Sequence, residues 1–354
     1  MDERALAAAL RGYIVRHLGT NDVVLVVDET GDVKKGNRTV GVARQYSGTA
    51  GRIENCQVAV YLAYTTPGAH ALIDHRLYLP RAWTEDPERL HTAGVPEQVE
   101  FATKPELARQ MIHTALESVP TAWVAGDEVY GRNPGLRTYL EQHRIGYVME
   151  MAATDRLATP RGLLAVKELA VLVPEQAWQK LSAGTGAKGE RFYDWALIDD
   201  VADGSGVRWV LLRRNRTTGE LAFYRCYAPT PVPLARLVAV AGRRWRVEES
   251  FAQGKGLAGL DEHQVRTWTS WHRWSLLVMV AYAFAAVCRL AELRRHPVPE
   301  WLVALTCNEI VRLLNALFAS VPDVEHVLAW SVFRRSHQAR ARSCHYRRQA
   351  VRES

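Results

Sequence analysis

The chain has 354 residues, with 45 Lys and Arg against 38 Asp and Glu and a formal net charge of +7. A hydrophobic content of 48% with no low-complexity run supports a packed core and excludes a disordered or fibrous protein. The 5 cysteines are scattered and never spaced C-x-x-C, which excludes a zinc ribbon or a disulfide framework, while the basic excess favours an anionic partner.

Residues 2–18 carry Leu6, Leu10, Ile14 and Leu18 at helical spacing and end at Gly19. Charges run through this segment, so it lacks the apolar centre of a signal peptide, and a cytoplasmic protein is expected. Val23–Val27 ("VVLVV") predicts a strand buried on both faces, with Asp28 at its carboxyl end. Further strands in "RTVGVARQYSG" and "NCQVAVYLAYTT" predict an antiparallel meander. A helix is expected over 104–117 with Pro105 in its first turn. A short strand over 121–125 follows, ending in Gly126 and Asp127, then a helix over 133–143 and a strand in "IGYVMEM". The order β-β-β-α-β-α-β is that of the ribonuclease H-like α/β fold, a mixed sheet flanked by helices. Residues 152–230, glycine-rich and strand-like, predict a β-rich insertion. A helix resumes after Pro231 and Pro233 through "LARLVAVAGRRWRVEESFAQGKG", and a helical region over 271–318 breaks at Pro297 and Pro299. Ser275–Cys288 is too short to span a bilayer and predicts a buried helix, so no membrane association is expected. The expected division is 1–151 for the first part of the ribonuclease H-like core and 152–230 for the insertion. Residues 231–290 form the rest of the core, and 291–354 a helical C-terminal region with a basic tail.

Asp28 and Asp127 share one context, the first polar residue after a short buried strand. Functional groups gather at such strand ends in open α/β sheets, and two neighbouring aspartates offer the hard oxygen donors that Mg²⁺ or Mn²⁺ prefers. Turn formation or helix N-capping accounts for either aspartate alone equally well. In "RRWRVEESFAQGKG", Arg244, Glu248 and Lys255 align on one helix face, since spacings of four and seven return to nearly the same azimuth, whereas Glu249 is rotated by about 100°. An ordinary Arg–Glu surface pair is the competing reading. Lys34 and Lys35 follow Asp28 in a basic hairpin. Residues 333–354 hold seven arginines, among them Arg334, Arg335, Arg347 and Arg348, against one glutamate, a pattern suited to a nucleic-acid backbone. Trp268, Trp271 and Trp274 recur every three residues; helix-face packing is the expected role, with stacking on an unpaired base as the alternative. His263 and His272 have no ligand-like spacing.

The segments "VVDETGDVKKGNRTVGVARQYSGTAGRIENCQVAVYLAY", "WVAGDEVYG", "KGERFYDWA", "AGRRWRVEESFAQGKGLAGLDEHQVRTWTSWHRW" and "HQARARSCHYRR" occur in this order along nearly the whole chain. In them the chain resembles transposases of the DDE superfamily, within the IS701 group of the IS4-like assemblage. The resemblance implies that Asp28, Asp127 and Glu248 form the metal-binding catalytic triad, holding two Mg²⁺ or Mn²⁺ ions. It also implies that Arg244, Glu248 and Lys255 are the last three letters of a Y-R-E-K signature whose tyrosine position is Ala241 here. The implied partner is double-stranded DNA, namely transposon terminal inverted repeats and target, with a homodimer in the synaptic complex. Family members carry a further segment ahead of the first aspartate, so a shortened copy is an expectation. The competing functions are a transposition-incompetent remnant or repurposed DNA-binding protein, and a nuclease of the same fold that hydrolyses without joining strands.

Overall fold

A computed structural model of the chain describes residues 2–159, 162–186, 189–200, 206–296, 298–299, 303–318 and 323–353; in the last helix some side chains, those of Arg334 and Arg348 among them, lie outside the description. Two compact units are present, Met1–Asn308 and Glu309–Ser354.

The first unit begins with α1 (Glu3–Leu18), capped by the Asp2 carboxylate and burying Leu10, Ile14 and Leu18 as the spacing predicts. Four strands follow, β1 (Val24–Val33), β2 (Ala43–Ser47), β3 (Arg52–Thr65) and β4 (His70–Leu77). The short helices α2 (Arg81–Thr84) and α3 (Pro87–Ala93) lead to α4 (Lys104–Leu116), which starts with a capping box between Thr103 and Glu106. Next come β5 (Trp123–Gly126), α5 (Glu128–Gly131), α6 (Pro134–Gln142) and β6 (Gly146–Met151). The predicted insertion holds β7 (Arg156–Thr159), β8 (Gly162–Ala165), α7 (Val166–Val171), β9 (Gln179–Gly186), β10 (Gly189–Asp200), β11 (Val207–Arg214) and β12 (Leu221–Ala228). Helices α8 (Leu234–Arg243), α9 (Trp245–Ala258) and α10 (Trp268–Arg295) close the unit. The second unit holds most of α11 (Cys307–Phe318) and all of α12 (Val324–Glu353), so the arginine-rich tail is helical.

One ten-stranded sheet organises the first unit, in the order β2-β3-β1-β5-β6-β12-β11-β10-β9 with β4 also paired to β3. β1 runs antiparallel to β3 but parallel to β5, and β5 parallel to β6, so the sheet is mixed. Helices flank it, giving the ribonuclease H-like α/β architecture the element order implies. The first three strands do not form the expected meander, since β1 lies between β3 and β5 and β2 is at the edge, and two further details differ from the sequence reading. β4 joins the sheet where no strand is expected, because "HALIDHRL" mixes buried apolar and polar residues and breaks the alternation pattern. The helix expected from residue 234 onward divides at Arg244, which serves as C-cap of α8 and N-cap of α9. α10 is long and apolar enough by composition to cross a membrane, and its apolarity has a packing cause: Trp271, Leu276, Met279, Tyr282, Ala283 and Ala286 are buried, and the helix lies against α1, α9 and β4.

Candidate active site

Strand register brings the first two aspartates together. Val27 pairs with Gly126 across the parallel β1–β5 ladder, so Asp28 and Asp127, one step further, stand side by side; Asp127 follows the end of β5, but β1 does not end at Asp28 as expected, because its pairing with β3 carries it on to Val33. Gly126 in turn pairs with Met149, so Glu150 stands next in the same row. Parallel neighbours in register point to one face of the sheet, and the row Asp28, Asp127, Glu150 therefore forms an acidic ridge across three strands, at the carboxyl ends of β5 and β6 and midway along β1. Glu150 went unnoticed in the sequence reading. The signal that picks out Asp28 and Asp127, a polar residue ending a buried strand, is present in "YVME" as well.

Each aspartate also has a local role. Asp28 Oδ1 accepts from the Glu29 amide at 2.8 Å. Asp127 is the N-cap of α5, its Oδ1 accepting from the Val129 amide at 2.9 Å. The capping and the site readings hold together, because each of these contacts uses one carboxylate oxygen. Burial, then the facing Asp127 and Glu29, raise the Asp28 carboxyl well above its ordinary value. Burial, Glu29 and Glu150 push Asp127 up to about 6. Like charges in a poorly hydrated row favour protonation in this way until a cation compensates them.

α9 crosses the same face. Arg244, at the junction of α8 and α9, points its guanidinium into the row: Nε lies 2.8 Å from Glu150 Oε1, and Nη1 lies 3.0 Å from Glu248 Oε1 and 4.0 Å from Asp28 Oδ2. Its neighbour Arg243 turns the other way, to Asp22 Oδ2 at 2.7 Å, and with Arg236 fastens α8 to the start of β1. The i,i+4 pair of Arg244 and Glu248 thus exists, and it sits over the acidic row rather than in open solvent. Burial raises the Glu248 carboxyl, opposed by Arg244. Glu249 faces elsewhere. Arg246 Nη1 reaches it at 2.6 Å and His70 Nε2 lies 3.3 Å away. Burial opposes its charge, but these contacts outweigh burial and hold it down at about 2.

The donor set of Asp28, Asp127 and Glu248 is all oxygen and matches a hard divalent cation in chemistry. Among the described residues, however, no three such side chains converge on one point, because Arg244 stands between Asp28 and Glu248. Lys255 lies further along β1, lining a small cavity with Thr30, Asp32 and Tyr61, and has no polar partner among the described residues. Lys34 is engaged within the chain, bound to Asp32 and donating to the His263 carbonyl at 2.9 Å, whereas Lys35 is exposed. Arg335 and Arg347 are exposed on α12. The tryptophans pack: Trp271 is buried, Trp274 Nε1 donates to the Gly259 carbonyl at 3.1 Å, and Trp268 tilts against His272.

Beside Arg244 opens a cavity of about 590 Å³ lined by Arg191, Arg213, Tyr193, Tyr224, Trp245 and Glu150. Ala241, at the signature position where the resembling family carries tyrosine, lines it too. Close backbone contact shapes this wall. A Cβ on Gly242 would come within 2.0 Å of the Ala183 carbonyl oxygen, so only glycine lets α8 lie this close to β9. Arg191 Nη2 seals the contact by donating to the Ala183 and Gly242 carbonyls at 2.9 and 3.0 Å.

A mixed sheet whose parallel strands carry a row of carboxylates, crossed by a helix that brings a glutamate and an arginine over them, is the architecture of a ribonuclease H-like core. Residues 93–284, more than half of the chain, match the family model described as "Transposase DDE domain", and residues 1–166 match that of the "DDE superfamily endonuclease". The chain belongs to the DDE transposase family. It is 31% identical over 139 residues to the "Probable transposase for insertion sequence element IS701" of Microchaete diplosiphon; the match covers 38% of this chain and 33% of that relative.

Proposed function

We propose that the chain is a transposase that cleaves the ends of an insertion sequence and joins the freed ends to target DNA by phosphoryl transfer. The observation that carries this reading is the register of β1 and β5, which sets Asp28 beside Asp127 beneath the Arg244–Glu248 pair. Asp28, Asp127 and Glu248 would hold two Mg²⁺ or Mn²⁺ ions, which supply an activated hydroxyl and charge neutralisation at the scissile phosphate. The chain's own groups prepare the rest. The sheet fixes Asp28 and Asp127 side by side on adjacent strands; α9 carries Glu248 toward them. Arg244 compensates the acidic row and, turning toward DNA, contacts a phosphate beside the scissile bond. Such a contact positions the duplex without reading its sequence.

Lys255 continues this basic track along β1, and Lys35 is exposed and left to reach DNA, whereas Lys34 is held by Asp32 and His263. Arg334, Arg335, Arg347 and Arg348 of α12 add backbone contacts. The substrates are double-stranded DNA, terminal inverted repeats and target, held by a homodimer in the synaptic complex of a cytoplasmic, nucleoid-bound protein. The test is cleavage of labelled element-end duplex with Mg²⁺ or Mn²⁺, resolved on a denaturing gel. Nicked and joined products support the proposal. Nicking alone points to a nuclease, and binding without cleavage to a DNA-binding remnant. Glu248→Gln is expected to bind DNA and not cut it; a Glu248→Gln protein that cuts like wild type overturns the assignment.

A further inference from the structure

We propose that the opposite face of the sheet carries a second anion site, a phosphate-binding pocket built from Arg137, Arg156, Arg208 and Arg225. Alternation along β6 separates it from the acidic row. Glu150 faces Arg244, so Met149 and Tyr147 face the other way. Arg225 pairs with Met149, Tyr227 with Tyr147, and Arg208 with Tyr227, which puts Arg208 and Arg225 on that reverse face. α6 contributes Arg137 and the β7–β8 hairpin Arg156, and together they line an open cavity of about 320 Å³.

The charges there do not balance internally. Glu141 is fully taken: Arg208 donates to it through Nε at 3.1 Å and through Nη2 at 2.5 Å, and Tyr147 Oη donates at 2.8 Å. Asp200 is the other acid of the lining. Arg137 spends Nη1 on the Gly131 carbonyl, and burial followed by the facing Arg225 pushes its guanidinium down. Arg225, half-buried, has no polar partner among the described residues, and the Nη1 of Arg208 is buried without one. Partly dehydrated guanidinium donors left unmatched are costly, and their planar forks suit the oxygens of a phosphoryl group. A phosphoryl oxyanion supplies what the pocket lacks. Its source is either a phosphodiester of a DNA segment crossing the reverse face or a free phosphate. This site stands on its own geometry, whatever the acidic row does.

Two measurements on the full chain test it. First, inorganic phosphate is added and the melting temperature compared with chloride at equal ionic strength. Wild type is expected to melt higher in phosphate, and Arg225→Gln to lose that difference. Second, affinity for a random duplex is titrated against salt. If the source is DNA, Arg156→Gln and Arg225→Gln each lower the slope of log K against log[salt] by about one, the value for one phosphate contact. A phosphate effect lost in Arg225→Gln with unchanged DNA slopes assigns the pocket to free phosphate. Arg156 is exposed and in no ion pair among the described residues, so Arg156→Gln tests the site even if Arg225→Gln fails to fold. No phosphate-specific stabilisation together with wild-type slopes in the variants overturns the proposal.

Discussion

Asp127 serves as a helix cap and a member of a repelling acidic row at once, and substitution separates the two. Asparagine caps a helix about as well as aspartate, whereas alanine costs about 1 kcal/mol. Asp127→Asn is therefore expected to melt at or above the wild-type temperature, since it removes repulsion with Glu29, Glu150 and Asp28, while cleavage falls to background. Asp127→Ala loses cleavage and stability together. Calorimetry beside the cleavage assay distinguishes them; an Asp127→Asn protein that melts well below wild type contradicts the repulsion argument. A second residue-scale consequence concerns His75 and His272, whose Nε2 and Nδ1 lie 3.1 Å apart. Burial, then His272 and Arg76, hold His75 well below its ordinary value; burial and Arg76 push His272 down to about 3. Both are neutral in the folded chain and take up protons on unfolding in acid. Their contribution is complete above the unfolded value of about 6.5 and is lost as pH falls from there toward 3. His272→Gln should flatten the stability-against-pH curve in that window by about one proton, or 1.4 kcal/mol per pH unit. An unchanged slope in denaturant titrations across this range would show that His272 is not held neutral. The row itself is half legible: Asp127 follows from strand-end context and Asp28 from the change of a buried run to a polar residue, though β1 runs on past it to Val33; their adjacency comes from the crossover that sets β5 beside β1, which no local pattern encodes.

Among the elements, α8 depends on one atom's absence. Gly242→Ala forces a methyl group against the Ala183 backbone, and overpacking of this kind costs about 1–3 kcal/mol. The damage should reach catalysis, because Gly242 lies two residues before Arg244. The expected result is a lower melting temperature with a disproportionate fall in cleavage; wild-type behaviour in both would mean that α8 can shift freely on β9. Elements with a single dominant pattern were readable in advance. α1, α4, α6, β5 and β6 lie within one or two residues of their predicted limits. β2 was also expected, but it pairs only with β3, and β1 takes β3 and β5 as neighbours, so the predicted simple meander becomes a rearranged order. Sheet order is a long-range property, and a chain read locally cannot supply it. The break at Arg244 is hidden for a related reason: both halves have helical spacing, and only packing against β9 on one side and β1 on the other bends the path.

At the scale of the whole molecule, the basic excess is densest in the second unit. The second unit carries the arginine-rich α12, with Arg335, Arg340 and Arg347 exposed. The first unit has its own core and its own sheet, so deleting residues 319–354 should leave its cooperative melting intact. The same deletion should weaken DNA binding at low salt and flatten its salt dependence, read by fluorescence anisotropy across a salt series. An unaltered salt slope would remove α12 from the DNA path.

The sheet's continuity carries a consequence for the protein's history and its engineering. β12 zips onto β6 from Tyr147 to Met151, the strand that holds Glu150, so the residues between Asp127 and the Glu248 helix form no detachable cassette. Excising β7–β12 would leave β6 as a bare edge of unpaired amides and carbonyls, open to templating by other chains. A miniature version of this chain would therefore fail first by clumping, before any question of chemistry arose. Any variant that trims or exchanges this stretch needs a replacement border strand beside β6.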